Sequence, residues 1–386
     1  MTSTLYDTLR RHLDEGSVPG AMGLVARGDD VEVVAVGSLD ADGSAPMARD
    51  SVFRIASITK PVTAAAVLML VEDGRIGLDD PVDAWLPELS EPMVVRTPAG
   101  PLDDLVPAAR PITVEDLLSS RAGWGFPSDF SLPAVGALFE VQKDGRAPQE
   151  YPDPDTWVAA LARVPLLYQP GEAWLYQTCS DLQGVLVARV SGRTLPEFLA
   201  ERVFEPLGMT DTGFEVPASK RRRFTSYYRP GPDEGTLELA DTPDGDWSRV
   251  PAFPSGGGGL ASTADDYLAF ARMLLNGGEG NGHRLLSPTS VSRMTTNHLT
   301  AAQRELGALF LEGQGWGYGG QVDVTPAEPW NVPGRYGWVG GTGTTAHIVP
   351  PTGTITILLT QVAMRNPVPP PLMRDFWNCT TSAAKR

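Results

Sequence analysis

Cysteine and histidine are scarce in this sequence of 386 residues, and their scarcity argues against several kinds of site. The two cysteines, Cys179 and Cys379, are too few for a disulfide framework or a cysteine-rich metal cluster. The four histidines have no spacing typical of metal ligands. The sequence therefore predicts neither a metal site nor a disulfide-stapled fold, and we expect no cofactor.

Net positive charge and long apolar runs are also lacking. The formal net charge is −16 and the pI is near 4.7, which argues against nucleic acid or an anionic membrane as a partner. No apolar run is long enough to span a membrane, and the first residues have the pattern of an amphipathic helix rather than of a signal peptide. We therefore expect a cytoplasmic protein without a membrane partner.

Two common motifs are missing as well. The sequence contains no G-x-S-x-G, which excludes the nucleophile elbow of the α/β-hydrolases. The glycine-rich stretch at 255–259, "SGGGG", lacks the lysine of a phosphate-binding P-loop. Its glycines predict instead a close approach of the backbone to another part of the chain.

The segment "RIASITKPVTAAAVLMLVEDG", from Arg54 to Gly74, is the most informative one. Pro61 is tolerated only in the first turn of a helix, so a helix must begin near Ser57. The apolar run after Pro61 covers nearly every side of that helix, which predicts that it is buried all round and ends at Gly74.

Ser57 and Lys60 are three positions apart, so their side chains lie on one face of the first turn. The positive end of the helix dipole and burial both disfavour a charged lysine, and both lower the pKa of Lys60. A neutral lysine beside a hydroxyl is a plausible base, whereas arginine cannot release its proton. The residues alone leave a second interpretation open, a helix-capping serine followed by an ordinary surface lysine.

Strand patterns lie at both ends of the chain and helix patterns in the middle. The stretch "AMGLVARGDDVEVVAVG" predicts two strands with a turn at 28–30, and Thr113, Thr194 and Thr263 are predicted helix N-caps. The simplest assembly is an α/β (α+β) fold with one antiparallel sheet flanked by helices. We expect residues 1–76 and 214–386 to form the sheet domain and residues 77–213 an inserted helical domain.

Several ordered segments resemble the serine β-lactamase and penicillin-binding-protein family, in the class C-like branch that includes family VIII carboxylesterases. They are "FRIASITKPVTAAAVLMLVEDGRIGLDDPV", "ITVEDLLSSRAGWG", "QPGEAWLYQTCSDLQGVLVARVSG", "FEPLGMTDTGF", "FPSGGGGLASTADDYLAFARMLLNGG" and "YGWVGGTGTTAHIVPPTGTITILLTQ". The resemblance implies that Ser57 is the nucleophile, Lys60 its base partner and Tyr176 a proton relay whose phenol can ionise. It also implies an oxyanion hole made by the backbone N–H groups of Ser57 and Gly341.

The sequence departs from the family pattern at two motifs. Thr178 stands where the family's Y-x-N motif has asparagine, and Trp338 stands where its K-T-G motif has lysine. The resemblance makes Trp338, Gly340, Thr178 and Trp124 candidate substrate-binding residues. Because the missing lysine helps to hold a substrate carboxylate in the lactamases, its loss predicts a preference for neutral, hydrophobic acyl groups.

We therefore expect a serine hydrolase that forms an acyl-enzyme on Ser57, with a carboxylesterase for neutral short or medium acyl esters as the leading function. The alternatives are an amide or peptide hydrolase, a peptide cyclase, an acyltransferase, a weak β-lactamase and a non-catalytic binding protein. The expected partner is a small ester or amide, and the sequence leaves the oligomeric state open.

Overall fold

The computed structural model describes residues 4–143, 147–233 and 235–383. Its α-helices are α1 (Thr4–Asp14), α2 (Lys60–Glu72), α3 (Val114–Leu118), α4 (Pro133–Gln142), α5 (Pro154–Leu161), α6 (Thr178–Ser191), α7 (Leu195–Leu199), α8 (Glu205–Leu207), α9 (Ala264–Leu275), α10 (Pro288–Met294), α11 (Ala301–Leu306), α12 (Ala308–Leu311) and α13 (Pro371–Ala383). Short 3₁₀ turns lie at Ala56–Thr59, Val82–Ala84, Pro87–Leu89, Pro148–Glu150, Arg221–Arg223, Asp246–Ser248 and Pro350–Thr352, and a π turn lies at Ala200–Phe204.

The strands come mainly from the two ends of the chain, as predicted. They are β1 (Gly20–Arg27), β2 (Asp30–Gly37), β3 (Phe53–Arg54), β4 (Met93–Val95), β5 (Leu105–Pro107), β6 (Tyr227–Pro230), β7 (Leu237–Asp241), β8 (Ala261–Ser262), β9 (Glu279–Gly280), β10 (His283–Arg284), β11 (Gly315–Trp316), β12 (Gln321–Val322), β13 (Tyr336–Gly340), β14 (Thr344–Val349) and β15 (Thr354–Thr360).

The described residues form a seven-stranded sheet in the order β11-β12-β13-β14-β15-β1-β2, and every neighbouring pair is antiparallel. Strand β1 therefore lies between its sequence neighbour β2 and the distant β15, with Ala21 opposite Thr360. The predicted antiparallel sheet built from both chain ends is confirmed. The first hairpin turns at 28–29, because Asp30 already belongs to β2.

Both faces of the central strands are covered. Along β1, Ala21 and Val25 point into a cluster that contains Leu9 of α1 and Phe376 of α13. The alternate residues, Met22 among them, point into the larger core on the other face, where α9 crosses β14 and β15. A strand buried on both faces needs apolar residues at nearly every position, and this explains the unbroken apolar pattern of β1.

The predicted helix starts and stops are confirmed at the elements that frame the cleft. The 3₁₀ turn at Ala56–Thr59 runs directly into α2, whose residues from Lys60 to Leu70 are all buried. Gly74 follows the helix with a φ of +66°, a conformation that suits glycine. Thr113, Thr194 and Thr263 each accept a backbone N–H bond as N-caps.

Residues 77–213 contain α3 to α8 and the short β4–β5 hairpin. Their apolar side chains belong to the same buried cluster as those of α2, so one continuous core joins them to the sheet. The division of the chain into a sheet domain and a helical domain at these bounds stays a prediction.

Candidate active site

Ser57 lies just before the N-terminus of α2, in the turn that connects β3 to the helix. It is 9% exposed, and the preceding Ala56 has a φ of +43°. An alanine in the left-handed region is strained, and such strain is common at functional sites. Ser57 lies in the first helical turn, so its backbone N–H has no acceptor within the helix. The N–H group can therefore donate a hydrogen bond to a ligand.

Lys60 Nζ has three polar neighbours, and all of them are buried. It lies 2.9 Å from Ser57 Oγ. It also lies 2.6 Å from Gln177 Oε1 and 2.6 Å from the carbonyl oxygen of Gly257. The last two oxygens can only accept hydrogen bonds, whereas the serine hydroxyl can donate as well.

This neighbourhood accommodates both forms of the lysine, because an ammonium can donate to all three oxygens. A neutral amine has two N–H donors and one lone pair, so the two donors satisfy Gln177 and Gly257 while the lone pair faces the Ser57 hydroxyl. Burial lowers the pKa of Lys60 from 10.5 to about 7, and the nearby charge of Asp181 opposes that shift. The amine can therefore accept the serine proton near neutral pH.

Tyr176 forms the other side of the site. Burial raises the pKa of its phenol to about 12, while hydrogen bonds with Ser57 and Trp338 oppose the shift. This raised pKa runs against the expectation that the phenol can ionise and relay a proton. The ring is half-buried, and Lys60 Nζ lies 4.7 Å from its centroid. A neutral tyrosine is suited to donate a proton rather than to remove one.

Gln177 has an unusual backbone conformation that no local sequence pattern predicts. Its φ and ψ are +82° and −65°, and the N–H of Thr178 donates to the Tyr176 carbonyl oxygen across 3.3 Å. These values define a γ-turn of the rare, strained kind. The turn directs the Gln177 side chain to Lys60, which places this residue in the site that we expected Thr178 to occupy.

Ser57 and Tyr176 line a cavity of about 400 Å³. Its walls are mostly apolar and aromatic, with a few polar groups among them. The lining residues are Ala56, Ser57, Phe126, Phe130, Phe139, Tyr176, Gln177, Phe310, Trp338, Val339, Gly341, Met364, Arg365, Asn366 and Pro367. We call this cavity the cleft.

The cleft contains a cation that the sequence analysis missed. Arg365 is exposed and lines the cleft, and its guanidinium donates to the carbonyl oxygen of Gly231 across 3.3 Å. The loss of the motif lysine at Trp338 therefore does not leave the cleft without positive charge. Arg365 follows β15 in a loop, and no motif of its own marks it in the sequence.

Gly341 and Gly340 have different surroundings. Gly341 lines the cleft, and its carbonyl oxygen accepts the N–H of Met364 across 2.8 Å. Gly340 is packed against the nucleophile turn, because an added Cβ would lie 2.6 Å from the Ile55 carbonyl oxygen and 2.2 Å from Thr344 Oγ1. Glycine at 340 thus permits β13 to approach the Ser57 turn, and this residue does not itself line the cleft.

Thr178 and Trp124, like Gly340, do not line the cleft, so these three predictions of substrate-binding residues are wrong. Thr178 is completely buried, and its hydroxyl donates to Gln142 Oε1. Trp124 is 2% exposed and its indole N–H donates to the Val164 carbonyl oxygen across 2.8 Å. Both side chains satisfy their polar groups inside the core, and neither lines the cleft.

The glycine-rich loop at 255–259 contributes to the site, and its predicted close approach is confirmed. A Cβ on Gly256 would lie 2.5 Å from the carbonyl oxygen of Ser180, and one on Gly257 would lie 2.4 Å from Gln177 Nε2. The loop can therefore fit between α2 and α6 only without side chains. This fit brings the Gly257 carbonyl oxygen to Lys60.

The described residues contain neither a cluster of metal-ligand side chains nor a helix that could span a membrane. In residues 4–143, 147–233 and 235–383, no three His, Cys, Asp or Glu side chains come close enough to hold a metal ion. Over the same ranges, no helix has the length and apolar character needed to cross a membrane.

Comparison with known proteins identifies the family. The family profile described as Beta-lactamase matches residues 5–371. The chain is 41% identical to Protein Rv1367c of Mycobacterium tuberculosis, over 92% of this chain and 88% of that protein. It is 31% identical to Esterase EstB of Burkholderia gladioli, over 80% and 76% of the two chains.

A solved structure supports the same assignment. The structure of "EstCE1, a hydrolase with promiscuous acyltransferase activity" superimposes with a TM-score of 0.80, at 26% identity over 98% of this chain and 97% of that one. The match therefore extends over the sheet and over the helices that surround the cleft. With the antiparallel sheet and the serine–lysine–tyrosine cleft on one scaffold, the chain belongs to the beta-lactamase family.

Proposed function

We propose that the protein is a serine carboxylesterase that forms an acyl-enzyme on Ser57 and prefers neutral acyl groups of short or medium length. One observation carries the proposal. The Lys60 amine has two obligate acceptors, Gln177 Oε1 and the Gly257 carbonyl oxygen, and its remaining partner is the Ser57 hydroxyl. This arrangement leaves the lysine lone pair directed at the proton that the nucleophile must lose.

Acylation begins when Ser57 Oγ attacks the ester carbonyl carbon and its proton passes to Lys60 Nζ. The carbonyl oxygen becomes an oxyanion, which the backbone N–H groups of Ser57 and Gly341 stabilise. The positive end of the α2 dipole acts in the same direction, since Ser57 stands at its N-terminal end.

Collapse of the tetrahedral intermediate needs a proton for the leaving alkoxide. The Tyr176 hydroxyl supplies it, and the ammonium of Lys60 returns a proton to the phenolate, so the lysine ends neutral. The products are an alcohol and acyl-Ser57. Water then attacks the acyl carbon by the same route in reverse and releases the carboxylic acid.

The aromatic walls of the cleft support a hydrophobic acyl or alcohol group. Phe126 and Phe139 stack with centroids 4.7 Å apart, and Phe310 packs at 4.7 Å from the Tyr176 ring. Burial of an apolar group against such walls stabilises it by about 25 cal/mol for each Å² removed from water. EstB, a relative named as an esterase, is consistent with an ester substrate.

Acyl transfer to an alcohol is the second candidate. The structural neighbour EstCE1 is described as a hydrolase with promiscuous acyltransferase activity. In the cleft of this chain, the same apolar walls that receive the leaving alcohol would hold an acceptor alcohol against acyl-Ser57. The ratio of transferred to hydrolysed acyl group, measured with p-nitrophenyl butyrate and increasing 1-butanol, decides between the two outcomes.

We also propose that the enzyme works in the cytoplasm. Its two cysteines, Cys179 and Cys379, are free thiols in the structure, as is usual in a reducing compartment. Fractionation of the native cells, followed by an activity assay on each fraction, tests this location.

Intact-mass measurement tests the catalytic proposal. Incubation with p-nitrophenyl butyrate or a fluorophosphonate should add one acyl or phosphonyl group to the wild type and none to Ser57→Ala. Ser290→Ala, which changes a buried serine of α10 outside the cleft, is the matched control and should be labelled like the wild type. Turnover by Ser57→Ala at the wild-type rate would overturn the proposal.

A further inference from the structure

Asp181, in the first turn of α6, is completely buried behind the catalytic lysine. Its carboxylate accepts hydrogen bonds from Gln142 Nε2 at 2.8 Å and from Ser255 Oγ at 2.6 Å. It also accepts hydrogen bonds from Gln177 Nε2 at 3.1 Å and from the Gly257 N–H at 2.9 Å. Burial raises the pKa of the Asp181 carboxyl, and the hydrogen bonds from Ser255, Gly257 and Gln177 oppose that shift. Three of the four donors are N–H groups that cannot accept a proton, so the arrangement fits an ionised carboxylate.

Two of the four donors also belong to the residues that hold Lys60. The Gln177 side chain accepts from Lys60 Nζ through Oε1 and donates to Asp181 through Nε2. Gly257 does the same with its backbone, since its carbonyl oxygen accepts from Lys60 and its N–H donates to Asp181. Lys60 and Asp181 are therefore joined by two separate bridges, each one residue long.

Asp181 is the charged side chain that is linked to the Lys60 amine through these bridges. On α6 and the turn before it, burial raises the pKa of Tyr176 and of Cys179 to about 12, so both are neutral at working pH. From α9, Tyr267 donates to the Ile58 carbonyl oxygen, and burial raises its pKa still further.

The remaining charged groups near α2 lie farther away or are exposed to solvent. Glu72 is at the opposite end of α2, about 18 Å along the helix at 1.5 Å per residue. Arg365 lines the cleft and is exposed to solvent, which screens its charge. Burial has the largest effect on the pKa of Lys60, and Asp181 is the charged group that opposes it.

We propose that Asp181 is a positioning residue that acts on Lys60 through the Gln177 and Gly257 bridges. It orients the lone pair of the Lys60 amine, and it helps to set the pH above which Lys60 acts as a base. Its charge favours the protonated amine and offsets part of the burial that disfavours it. Without Asp181 the lysine would lose its proton at lower pH and would also lose the two bridges that orient it. The inference rests on the proposed acylation of Ser57.

The pH dependence of acylation separates this role from a purely structural one. Asp181→Asn removes the charge, so the acid limb of kcat/KM for p-nitrophenyl butyrate should move down by about one pH unit. Gln177→Glu puts a carboxylate oxygen next to Lys60 Nζ and shares a proton with Asp181 on its other side, which brings negative charge closer to the amine. Its acid limb should therefore move up by about one pH unit. Asp266→Asn, which changes another buried aspartate with partners in Asp211 and Thr212, is the matched control and should leave the limb in place.

The outcomes are distinct. Opposite shifts in Asp181→Asn and Gln177→Glu support the proposal, whatever the plateau rates of the two variants. An acid limb that stays within about 0.3 pH unit of the wild type in both overturns it. If Asp181→Asn does not fold, Gln177→Glu alone decides by the same criterion. A wild type that acquires no acyl group on Ser57 in the intact-mass experiment would instead refute the proposed function.

Discussion

Trp338 donates its indole N–H to the hydroxyl oxygen of Tyr176 across 2.8 Å. The indole therefore does not offer this donor to a substrate, although its ring lines the cleft. The bond occupies an acceptor site of the phenol oxygen, so the phenol O–H is directed elsewhere, towards Ser57 and the leaving group. A tryptophan at the position of the family's motif lysine thus holds Tyr176, the residue that we propose as the proton donor.

Trp338→Phe should lower kcat with little change in KM. The change keeps an aromatic wall but removes one hydrogen bond, which is worth about 0.5–1.5 kcal/mol, or roughly a twofold to tenfold loss in rate. Trp124→Phe removes a comparable N–H bond outside the cleft and serves as the control. Equal kinetic effects in the two variants, measured with p-nitrophenyl butyrate, would contradict the role given to Trp338.

Lys60→Arg should be almost inactive although it keeps the positive charge. Arginine cannot accept the serine proton, and loss of a general base costs on the order of 10²–10⁴ in rate. Lys220→Arg changes a partly buried lysine that pairs with Asp211 away from the cleft, and it should retain wild-type activity. Retention of activity within about tenfold by Lys60→Arg would mean that the lysine acts by its charge alone.

The stability of the wild type relative to Lys60→Met should depend on pH. The folded-state pKa of Lys60 is about 7, below its ordinary 10.5, so the unfolded chain binds more protons between these values. The free energy of unfolding of the wild type, relative to that of Lys60→Met, should therefore rise between about pH 7 and 10.5, by up to about 1.4 kcal/mol per pH unit. Below about pH 7 the difference should be constant. Urea unfolding of both proteins from pH 6 to 9 measures the difference, and a pH-independent result would place the folded pKa near 10.5.

Arg365→Ala should discriminate between neutral and acidic esters. The exposed guanidinium lines the cleft, so a carboxylate at the far end of an acyl group can pair with it. An exposed ion pair is worth up to about 1 kcal/mol, so kcat/KM for the p-nitrophenyl monoester of glutaric acid should fall by up to about fivefold. The value for p-nitrophenyl butyrate should not change.

Arg249→Ala is the control for that experiment, because Arg249 is an exposed arginine paired with Asp246 outside the cleft. If Arg365→Ala lowered kcat/KM equally for both esters and Arg249→Ala lowered it for neither, Arg365 would stabilise the loop rather than bind the substrate.

Local sequence patterns were sufficient for the elements that frame the cleft. Pro61, the apolar run after it and Gly74 predicted the nucleophile helix, because proline geometry, burial and the left-handed glycine act within a few residues. The N-caps at Thr113 and Thr263 were predicted for the same reason, since a cap is completed by the backbone three residues on.

The contacts inside the cleft depend on parts of the chain that are distant in sequence. Gln177 reaches Lys60 only because a strained γ-turn reverses its direction, and no local pattern specifies that turn. Thr178 and Trp124 were misplaced because a motif match gives a position along the chain and not the side of the helix or loop that faces the cleft. Asp181 looked like an ordinary first-turn acid of α6, and only the docked Gly257 loop reveals its partners.

The pairing of β1 with β15 has a consequence for biosynthesis. Ala21 emerges from the ribosome about 340 residues before its partner Thr360. At about 5–20 residues per second, this apolar strand waits roughly 20 to 70 s with only the β2 hairpin beside it. An unpaired strand edge is a site for association with other chains, so the yield of native enzyme depends on how well nascent chains are kept apart during that interval.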